Sequence, residues 1–486
     1  MKSLSAISAC ALLLATRTAA ADPWIEPGDA GLRHDLQLLA DAGLLDAPLT
    51  AWPVSWAEVA RDLDGVALDQ AQPDWLHAAL GRAQSEARRA THVAYFDFSA
   101  RAGASAEPME LRRFGDVPRE EGEIEAAVEY TGLRFAYRLE ATGVADPDDD
   151  HAVRPDGSYA AVMLGNWVLH AGYVDRWWGP GWEGSLILGS NARPIPSVTI
   201  ERNYSDAIDH PWLEWLGQWR LAATIGRFEG SREDAPDANF FGARVTWKPH
   251  RRVEIGLSRS AQFCGEGRPC GWDTFWDLLV GNDNDQPAGE QPGNQMAGFD
   301  ARWALPGIPV AVYGQMIGED EAGYLPSQYL GLFGVEVSGG FGDRSWRAHF
   351  EYADTACSFY DSEPNFGCAY RNFIYFDGYQ YRDRALGHAI DGDSEQYAAG
   401  FLLVNADGSQ WELTAQGSDI NRASANPVHS VEPAAAEIRS ADLHHRRPLW
   451  GGELAVAVGF EQRDRSGPES DTEDARGFLQ YTWEFE

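Results

Sequence analysis

Cysteine, basic residues and long apolar runs are all scarce in this sequence. Only 5 of 486 residues are Cys, and 39 Lys and Arg stand against 74 Asp and Glu, which gives a formal net charge of −35. This acidity argues against nucleic-acid binding, which needs a basic surface, and against docking on anionic lipid through a polybasic patch. After the first residues, no apolar run reaches the roughly 18 residues of a membrane-spanning helix. Hydrophobic residues nevertheless make up 44% of the chain, which excludes an intrinsically disordered protein.

The first 21 residues predict a secretory signal peptide. Lys2 gives a positive start, residues 4–15 form a short apolar run, and residues 19–21 offer a cleavage site of small residues. An exported chain of this kind is periplasmic, secreted or an outer-membrane barrel. The four remaining cysteines fall into two local pairs, and local pairing is the simplest of their three connectivities. We therefore predict the disulfides Cys264–Cys270 and Cys357–Cys368.

Residues 22–90 predict a small helical bundle. Asp29 is placed to cap a helix with Leu32, Leu36 and Leu39 on one face, Ser55 starts a capping box, and Pro73 suits the first turn of a third helix. Because three short helices make a marginal core, we expect them to dock on something larger.

From residue 91 the apolar pattern has a period of two. Leu133, Phe135, Tyr137 and Leu139 alternate with polar or small residues, and so do Trp346, Ala348, Phe350 and Tyr352, and Leu479, Tyr481, Trp483 and Phe485. Charged residues at the polar positions and aromatic residues near strand ends favour a lipid-facing wall around a wet lumen. Residues 91–486 thus predict an all-β transmembrane barrel of about 16–18 antiparallel strands. The alternative is a soluble β-sandwich or propeller.

The densest local signal lies in residues 175–196, where three tryptophans stand among Gly and Pro. This composition predicts a shaped loop rather than a strand. Indole faces stack on sugar rings, and charged side chains bond sugar hydroxyls or carboxylates. The candidate polysaccharide-binding residues are Asp175, Arg176, Trp177, Trp178, Trp182 and Arg193. The alternative is that the indoles fill the lumen and hold an inward-folded loop.

A cluster of three carboxylates, Glu319, Asp320 and Glu321, is flanked by small residues that predict a turn. We include these three residues among the candidate polysaccharide-binding residues. Such a cluster can also hold Ca²⁺, or it is a solvated turn of an acidic protein. We predict no metal site and no cofactor.

The segments 176–196, 294–303, 314–321 and 351–355, together with 27–44, resemble the capsule assembly protein Wzi family across nearly the whole mature chain. The resemblance implies an outer-membrane barrel with a helical bundle on its periplasmic side. It also implies a lectin-like role in holding capsular polysaccharide at the cell surface.

The resulting expectation is a non-enzymatic, monomeric outer-membrane protein whose partners are surface polysaccharide and lipid, not nucleic acid. No Gly-x-Ser-x-Gly, His-Glu-x-x-His or Walker-type motif is present. The alternative function is a porin or polysaccharide conduit. The side of the membrane that the Trp-rich loop faces depends on an exact strand count and stays open at this stage.

Overall fold

In the computed structural model, eighteen antiparallel strands close into a barrel, which confirms the predicted fold class. The structure describes residues 23–485 apart from 93–94, 116, 281–290, 292 and 323–324, so the predicted signal peptide lies outside the described residues. The strands are β1 (Tyr95–Ala106), β2 (Gly122–Thr131), β3 (Phe135–Ala145), β4 (Tyr159–Leu164), β5 (Trp167–Gly172), β6 (Ser197–Arg202), β7 (Gln218–Arg227), β8 (Asn239–His250), β9 (Val253–Phe263), β10 (Gly293–Ala304), β11 (Val310–Ala322), β12 (Leu325–Phe341), β13 (Arg344–Asp354), β14 (Glu395–Val404), β15 (Gln410–Ile420), β16 (Ala436–Leu449), β17 (Gly452–Arg465) and β18 (Thr472–Phe485). The short segment Val153–Arg154 pairs with β3 ahead of β4 and acts as an interrupted start of that strand.

Alternation along each strand separates an apolar outer wall from a polar inner wall. On β3, Phe135 and Leu139 are 62% and 61% exposed on the outside, while Arg138 forms ion pairs with carboxylates of the inner wall. The same alternation on β13 turns Phe350 outward and buries Arg347 inside. Closure pairs β18 with β1, so the backbone hydrogen bonds of both strands are made within the barrel.

The two ends of the barrel carry different connections. At the end where β1 starts and β18 finishes, all but one of the turns contain five residues or fewer. The longest connections, residues 173–196, 264–292 and 355–394, join strands at the opposite end. We call these the helix end and the loop end. Short turns at one end and long loops at the other are typical of outer-membrane barrels, whose long loops are extracellular.

Three helices, α1 (Ala30–Asp41), α2 (Trp56–Leu63) and α3 (Asp74–Ala90), precede the first strand. As predicted, the side chains of Asp29 and Ser55 cap α1 and α2 by accepting backbone N–H groups. Arg82 of α3 donates to the carbonyl of Asn405 in a turn at the helix end, at 2.9 Å. A fourth helix, α4 (Trp272–Val280), lies in a connection at the loop end. No helix among the described residues is both long and apolar enough to cross a bilayer.

Polar side chains of the inner wall bind the segment between α1 and α2. Glu254 of β9 accepts the backbone N–H groups of Leu49 and Thr50 at 3.0 and 2.7 Å. Arg244 of β8 donates to the Thr50 carbonyl at 2.9 Å and forms a buried ion pair with Asp300 of β10, with an N–O distance of 2.6 Å. Strand β9 lies between the two strands that carry this ion pair, and its residue at the level of the pair is Gly256. A Cβ at this position would lie 2.5 Å from both charged groups, so only glycine fits. We call residues 23–90 the N-terminal segment. The barrel wall thus holds part of this segment in its lumen.

Replacing Arg244 by Ala is expected to destabilise the protein by about 3–5 kcal/mol, because Asp300 would remain buried without its cationic partner. The Thr50 carbonyl would also lose a donor, so protease should cut the segment between α1 and α2 sooner. Urea unfolding in detergent micelles and limited proteolysis measure the two effects. Arg439→Ala removes an exposed arginine and should change neither; equal behaviour of the two variants would contradict the proposed role of Arg244.

Candidate functional site

Residues 174–196, which we call the Trp loop, leave β5 at the loop end and fold down into the lumen. Trp177–Trp178 pair as a two-residue strand with Ala51–Trp52 of the N-terminal segment. Apart from Asp175 and Pro196, every residue of the Trp loop is buried. The loop and the N-terminal segment therefore meet inside the barrel and fill much of its width.

The three tryptophans predicted to stack on sugar are packed in this interior. Trp177 and Trp178 are each 1% exposed and Trp182 is 6% exposed. The indole N–H of Trp182 donates to Glu336 at 2.8 Å, and its ring stacks on His349 with centroids 5.7 Å apart. These contacts match the packing alternative for the three indoles, while their direct contact with a sugar stays a prediction.

A network of buried polar groups fixes the middle of the Trp loop to β11 and β13. Glu351 accepts the backbone N–H groups of Trp182 and Glu183 at 2.5 and 2.9 Å, and the phenolic O–H of Tyr313 at 2.7 Å. The carboxylate of Glu183 lies 2.6 Å from Nε2 of His349. Burial alone would raise the pKa of Glu183, but the hydrogen bond and charge of His349 bring that pKa below its ordinary value. Glu183 is therefore ionised at neutral pH and adds charge-assisted bonding to the loop.

The other predicted site residues of the Trp loop have separate positions. Arg176 donates to the hydroxyl of Thr199 on the inner wall at 2.6 Å. Arg193 makes a two-pronged ion pair with Asp156 at 2.7 and 2.8 Å. Both guanidinium groups are thus bonded within the protein. Asp175 borders an open cavity.

This cavity, of about 430 Å³, lies between the N-terminal segment and the inner wall of β1–β4. Most of its charged lining residues are on those strands or in the loops above them: Arg101, Arg119, Glu123, Glu125, Glu129, Arg138, Glu140, Arg154 and Asp156. Burial is the main cause that raises the pKa of Glu26 to about 8, and the nearby negative charge of Asp175 is the second cause. A second space of about 370 Å³ shares Arg101 and Arg138 with the first and extends toward Glu484 at the helix end. Two neighbouring polar spaces therefore lie along one wall of the lumen.

The acidic cluster lies on a strand and not in the turn that the sequence predicts. Strand β11 pairs with β12 as far as Ala322 opposite Leu325, because the two strands extend beyond their neighbours at the loop end. Glu319 is 7% exposed, so it is not a solvated turn residue. The side chains of Asp320 and Glu321 lie outside the described residues. Among the side chains that are described, no group of three or more His, Cys, Asp or Glu is arranged to hold a metal ion.

Residues 355–394, which we call the cover loop, lie above the Trp loop. The phenolic O–H groups of Tyr370 and Tyr379 donate to the carbonyls of Leu186 and Ile187 at 2.6 and 2.8 Å. The backbone N–H of Gly189 donates to a cover-loop carbonyl at 2.8 Å. The two loops are thus bonded along their length as two layers.

The cover loop also reaches across the lumen from β13 to the strands on the other side. Gln262 of β9 donates to the carbonyl of Gly378 at 2.9 Å, and Arg232, in the loop after β7, donates to the same carbonyl at 2.8 Å. Disulfide Cys357–Cys368 closes the first part of the cover loop, and Cys264–Cys270 closes the start of the connection that follows β9. Together these links hold the loop end in one arrangement.

Three aromatic side chains on the cover loop are exposed to solvent: Tyr360, Phe373 and Phe376. We call the last two, which are three residues apart, the aromatic patch. They are 67% and 49% exposed. The guanidinium of Arg371 lies 5.5 Å from the ring centroid of Phe376, and Asn372 is held by a hydrogen bond to Asn294. Sequence reasoning missed this patch. The mixed polar and aromatic run 371–377 is a visible signal, but nothing in it separates the exposed rings from the buried Tyr375.

Comparison with known proteins places this arrangement in a family. The model of the capsule assembly protein Wzi family matches residues 94–475. The chain belongs to this family. A relative from Klebsiella pneumoniae, an uncharacterised 55.8 kDa protein in the cps region, is 33% identical over 436 residues, which are 88% of this chain and 83% of the relative.

The fold of the Wzi family also matches this chain along its length. The solved structure of Wzi from Escherichia coli is 28% identical, covers 94% of this chain and 98% of its own, and superposes with a TM-score of 0.83. That protein is described as an outer membrane protein involved in group 1 capsule assembly and as a carbohydrate binding β-barrel. This chain is likewise an outer-membrane β-barrel protein. The predicted family, fold and location are therefore confirmed.

Replacing Glu26 by Gln is expected to stabilise the protein increasingly as pH rises from 5 to 8. The pKa of Glu26 is raised to about 8 in the folded state, so the native protein resists an ionisation that the unfolded chain undergoes near pH 4.5. Both states are protonated below that pH, and the native state is destabilised above it by on the order of 2–4 kcal/mol. Urea unfolding in micelles at pH 5, 7 and 8.5 measures the difference between variant and wild type. The exposed Glu363→Gln is the control; a difference that does not grow with pH would refute the raised pKa.

Proposed function

We propose that this protein binds extracellular or capsular polysaccharide and helps to attach or assemble it at the cell surface. The support from similarity is the Wzi family membership and the 28% identity to the carbohydrate-binding Wzi barrel along 94% of the chain. We propose a role without catalysis, since binding and retention need only a stable surface.

The observation that carries the proposal is the filling of the lumen by three layers. The N-terminal segment, the Trp loop and the cover loop are joined to one another and to the wall by the bonds of Thr50, Glu183 and Tyr370. A wide barrel without such filling forms an aqueous channel. Here the bonded layers support a rigid, polar face at the loop end, which suits a binding surface.

We propose that the aromatic patch contacts the polymer. Phe373 and Phe376 are exposed rings of this face, and the nearby Arg371 and Asn372 supply hydrogen-bond donors. Aromatic faces stack on the apolar side of sugar rings. Each contact is weak, but one repeating polymer binds many copies of the protein on the cell surface at once. The resulting avidity retains the polysaccharide at the surface.

The binding residues predicted from the sequence remain part of the proposal in different roles. We propose that Trp177, Trp178 and Trp182 act by holding the loop layers in place, and that Asp175 acts from the polar cavity. Arg176, Arg193 and the carboxylates at 319–321 are proposed to shape the loop end. A direct sugar contact by Trp177, Trp178 or Trp182 would require an opening of the packed layers.

The orientation in the membrane follows from the two ends of the barrel. We propose that residues 22–90 close the periplasmic end as one unit, that residues 91–486 form the barrel unit, and that the loop end faces outward. Short turns at the helix end and long loops at the other support this orientation. We further propose that the barrel is monomeric in lipid, because its sheet is fully closed.

A pore is the second candidate, and the two polar spaces favour it. They lie side by side along β1–β4, and the second reaches Glu484. Against it, Arg154, which lines the first space, forms ion pairs with Glu120 and Asp149 at the loop end. We therefore propose that any conduction is limited to water and small ions.

The double variant Phe373→Ser/Phe376→Ser is expected to lose most of its affinity for surface polysaccharide purified from the host strain. Loss of two stacking contacts on each sugar segment corresponds to a drop of tenfold or more in apparent affinity. Surface plasmon resonance on the detergent-solubilised protein measures it. The control is Trp450→Ser, which removes an aromatic ring that is 89% exposed on a turn at the helix end. Unchanged binding by the double variant would remove the aromatic patch from the proposal, and an equal loss in the control would show a non-specific effect.

In a planar lipid bilayer, the wild-type protein is expected to show no steady open channel of porin size, because the bonded layers span the lumen. Arg154→Ala, which removes the bridge at the loop end, should raise small-ion conductance without admitting sugars. Single-channel recording measures both. A large, constant conductance of the wild-type protein would support the pore and oppose the binding proposal.

A further inference from the structure

Helix α4 lies on the outer side of the barrel and not above its mouth. Its Phe275 packs against Phe241 of β8 and Phe263 of β9, with ring centroids 5.6 and 5.4 Å apart. Phe241 pairs with Ile225, an outward-facing residue that is 48% exposed. Because side chains in one register row of a barrel share a face, Phe241 belongs to the apolar outer wall. The helix therefore covers the upper edge of the surface that faces lipid.

An arginine on this wall shows that α4 belongs there. Arg259 alternates with the inward-facing Ser258 and Ser260 and so points outward from β9. Its guanidinium donates to the carbonyls of Leu278 and Leu279 at 2.6 and 2.9 Å. Arginine on the lipid face of a barrel is destabilising, and the last carbonyls of a helix need donors. The hydrogen bonds of Arg259 therefore give the outward guanidinium its acceptors and the end of α4 its donors.

The part of α4 that turns away from the barrel carries two large exposed rings. Trp272 and Trp276 are 85% and 64% exposed and, four residues apart, lie on one face of the helix. At about 100° per residue, Asp273 and Asp277 lie on the next face. The surface of α4 therefore has three arcs. Phe275 lies on the apolar arc against the wall, Trp272 and Trp276 form the indole arc beside it, and Asp273 and Asp277 form the acidic arc.

We propose that α4 is an interfacial anchor that lies in the outer leaflet of the membrane, with Trp272 and Trp276 in lipid and the acidic arc toward water. Membrane lipid is the occupant because the indole arc continues the apolar outer wall that begins at Ile225 and Phe241. Tryptophan is enriched at the level of lipid headgroups, and a short amphipathic helix lies in that plane. The anchor goes beyond polysaccharide binding, and it does not depend on it.

Nitroxide labels on α4 test the anchor in the folded protein. We would introduce Trp272→Cys, Trp276→Cys and Asp273→Cys separately, with both disulfides intact. Leu257→Cys on the outer wall of β9, where Leu257 is 50% exposed, gives the lipid reference. The protein is reconstituted in phospholipid vesicles without polysaccharide, and collision of each label with oxygen and with a water-soluble nickel chelate is measured by electron paramagnetic resonance.

Labels at 272 and 276 are expected to show an oxygen-to-nickel ratio severalfold above that at 273 and closer to that at 257. A ratio at both indole positions equal to that at 273 would overturn the anchor, since the rings would then lie in water. As a second measurement, Trp272→Gln/Trp276→Gln should bind polysaccharide like wild type but unfold at lower urea in vesicles than Trp450→Gln. Unchanged unfolding in vesicles would also count against the anchor, while loss of polysaccharide binding would place these rings in the glycan site instead of the membrane.

Discussion

The charged side chains on the inner wall of the barrel set the constraint on which the rest of the structure depends. A closed barrel satisfies its own backbone, but eighteen strands enclose more space than wall side chains can fill. Arg302 of β10 reaches Asp41 of α1 at 2.8 Å, and Arg347 of β13 reaches His34 of the same helix at 3.1 Å. Because a buried charge without a partner is costly, the wall and α1 stabilise one another.

Local sequence patterns were sufficient to predict the strands and helices, but not which side chains are buried inside the barrel. Alternation separated the outward Leu139 from the inward Arg138, and side-chain caps at Asp29 and Ser55 marked two helix starts, because these effects act within a few residues. The burial of Trp178 depends on contacts with loops and strands far away in the chain, so the composition of the Trp loop favoured packing only slightly over sugar binding. The exposure of Phe373 and the buried strand position of Glu319 were hidden for the same reason.

The closed interior gives the loop end a stability that loops seldom have. Tyrosine hydroxyls bond one loop to the next, and the disulfide Cys357–Cys368 shortens the cover loop. A flexible loop would lose conformational entropy on each contact with a glycan, whereas a face that is already ordered loses little. Filling the lumen and ordering the loop end, which is the proposed binding surface, are therefore two results of the same packing.

The position of arginine relative to the wall distinguishes the two kinds of attached element. Inward arginines such as Arg244 bond elements that fill the lumen, while the outward Arg259 bonds a helix on the lipid side. In both cases the guanidinium reaches backbone carbonyls that the attached segment itself leaves without partners, because the segment is a loop or a helix end. The arginines on each face of such a wall thus determine which segment packs against that face. Lipid covers the rest of the outer face.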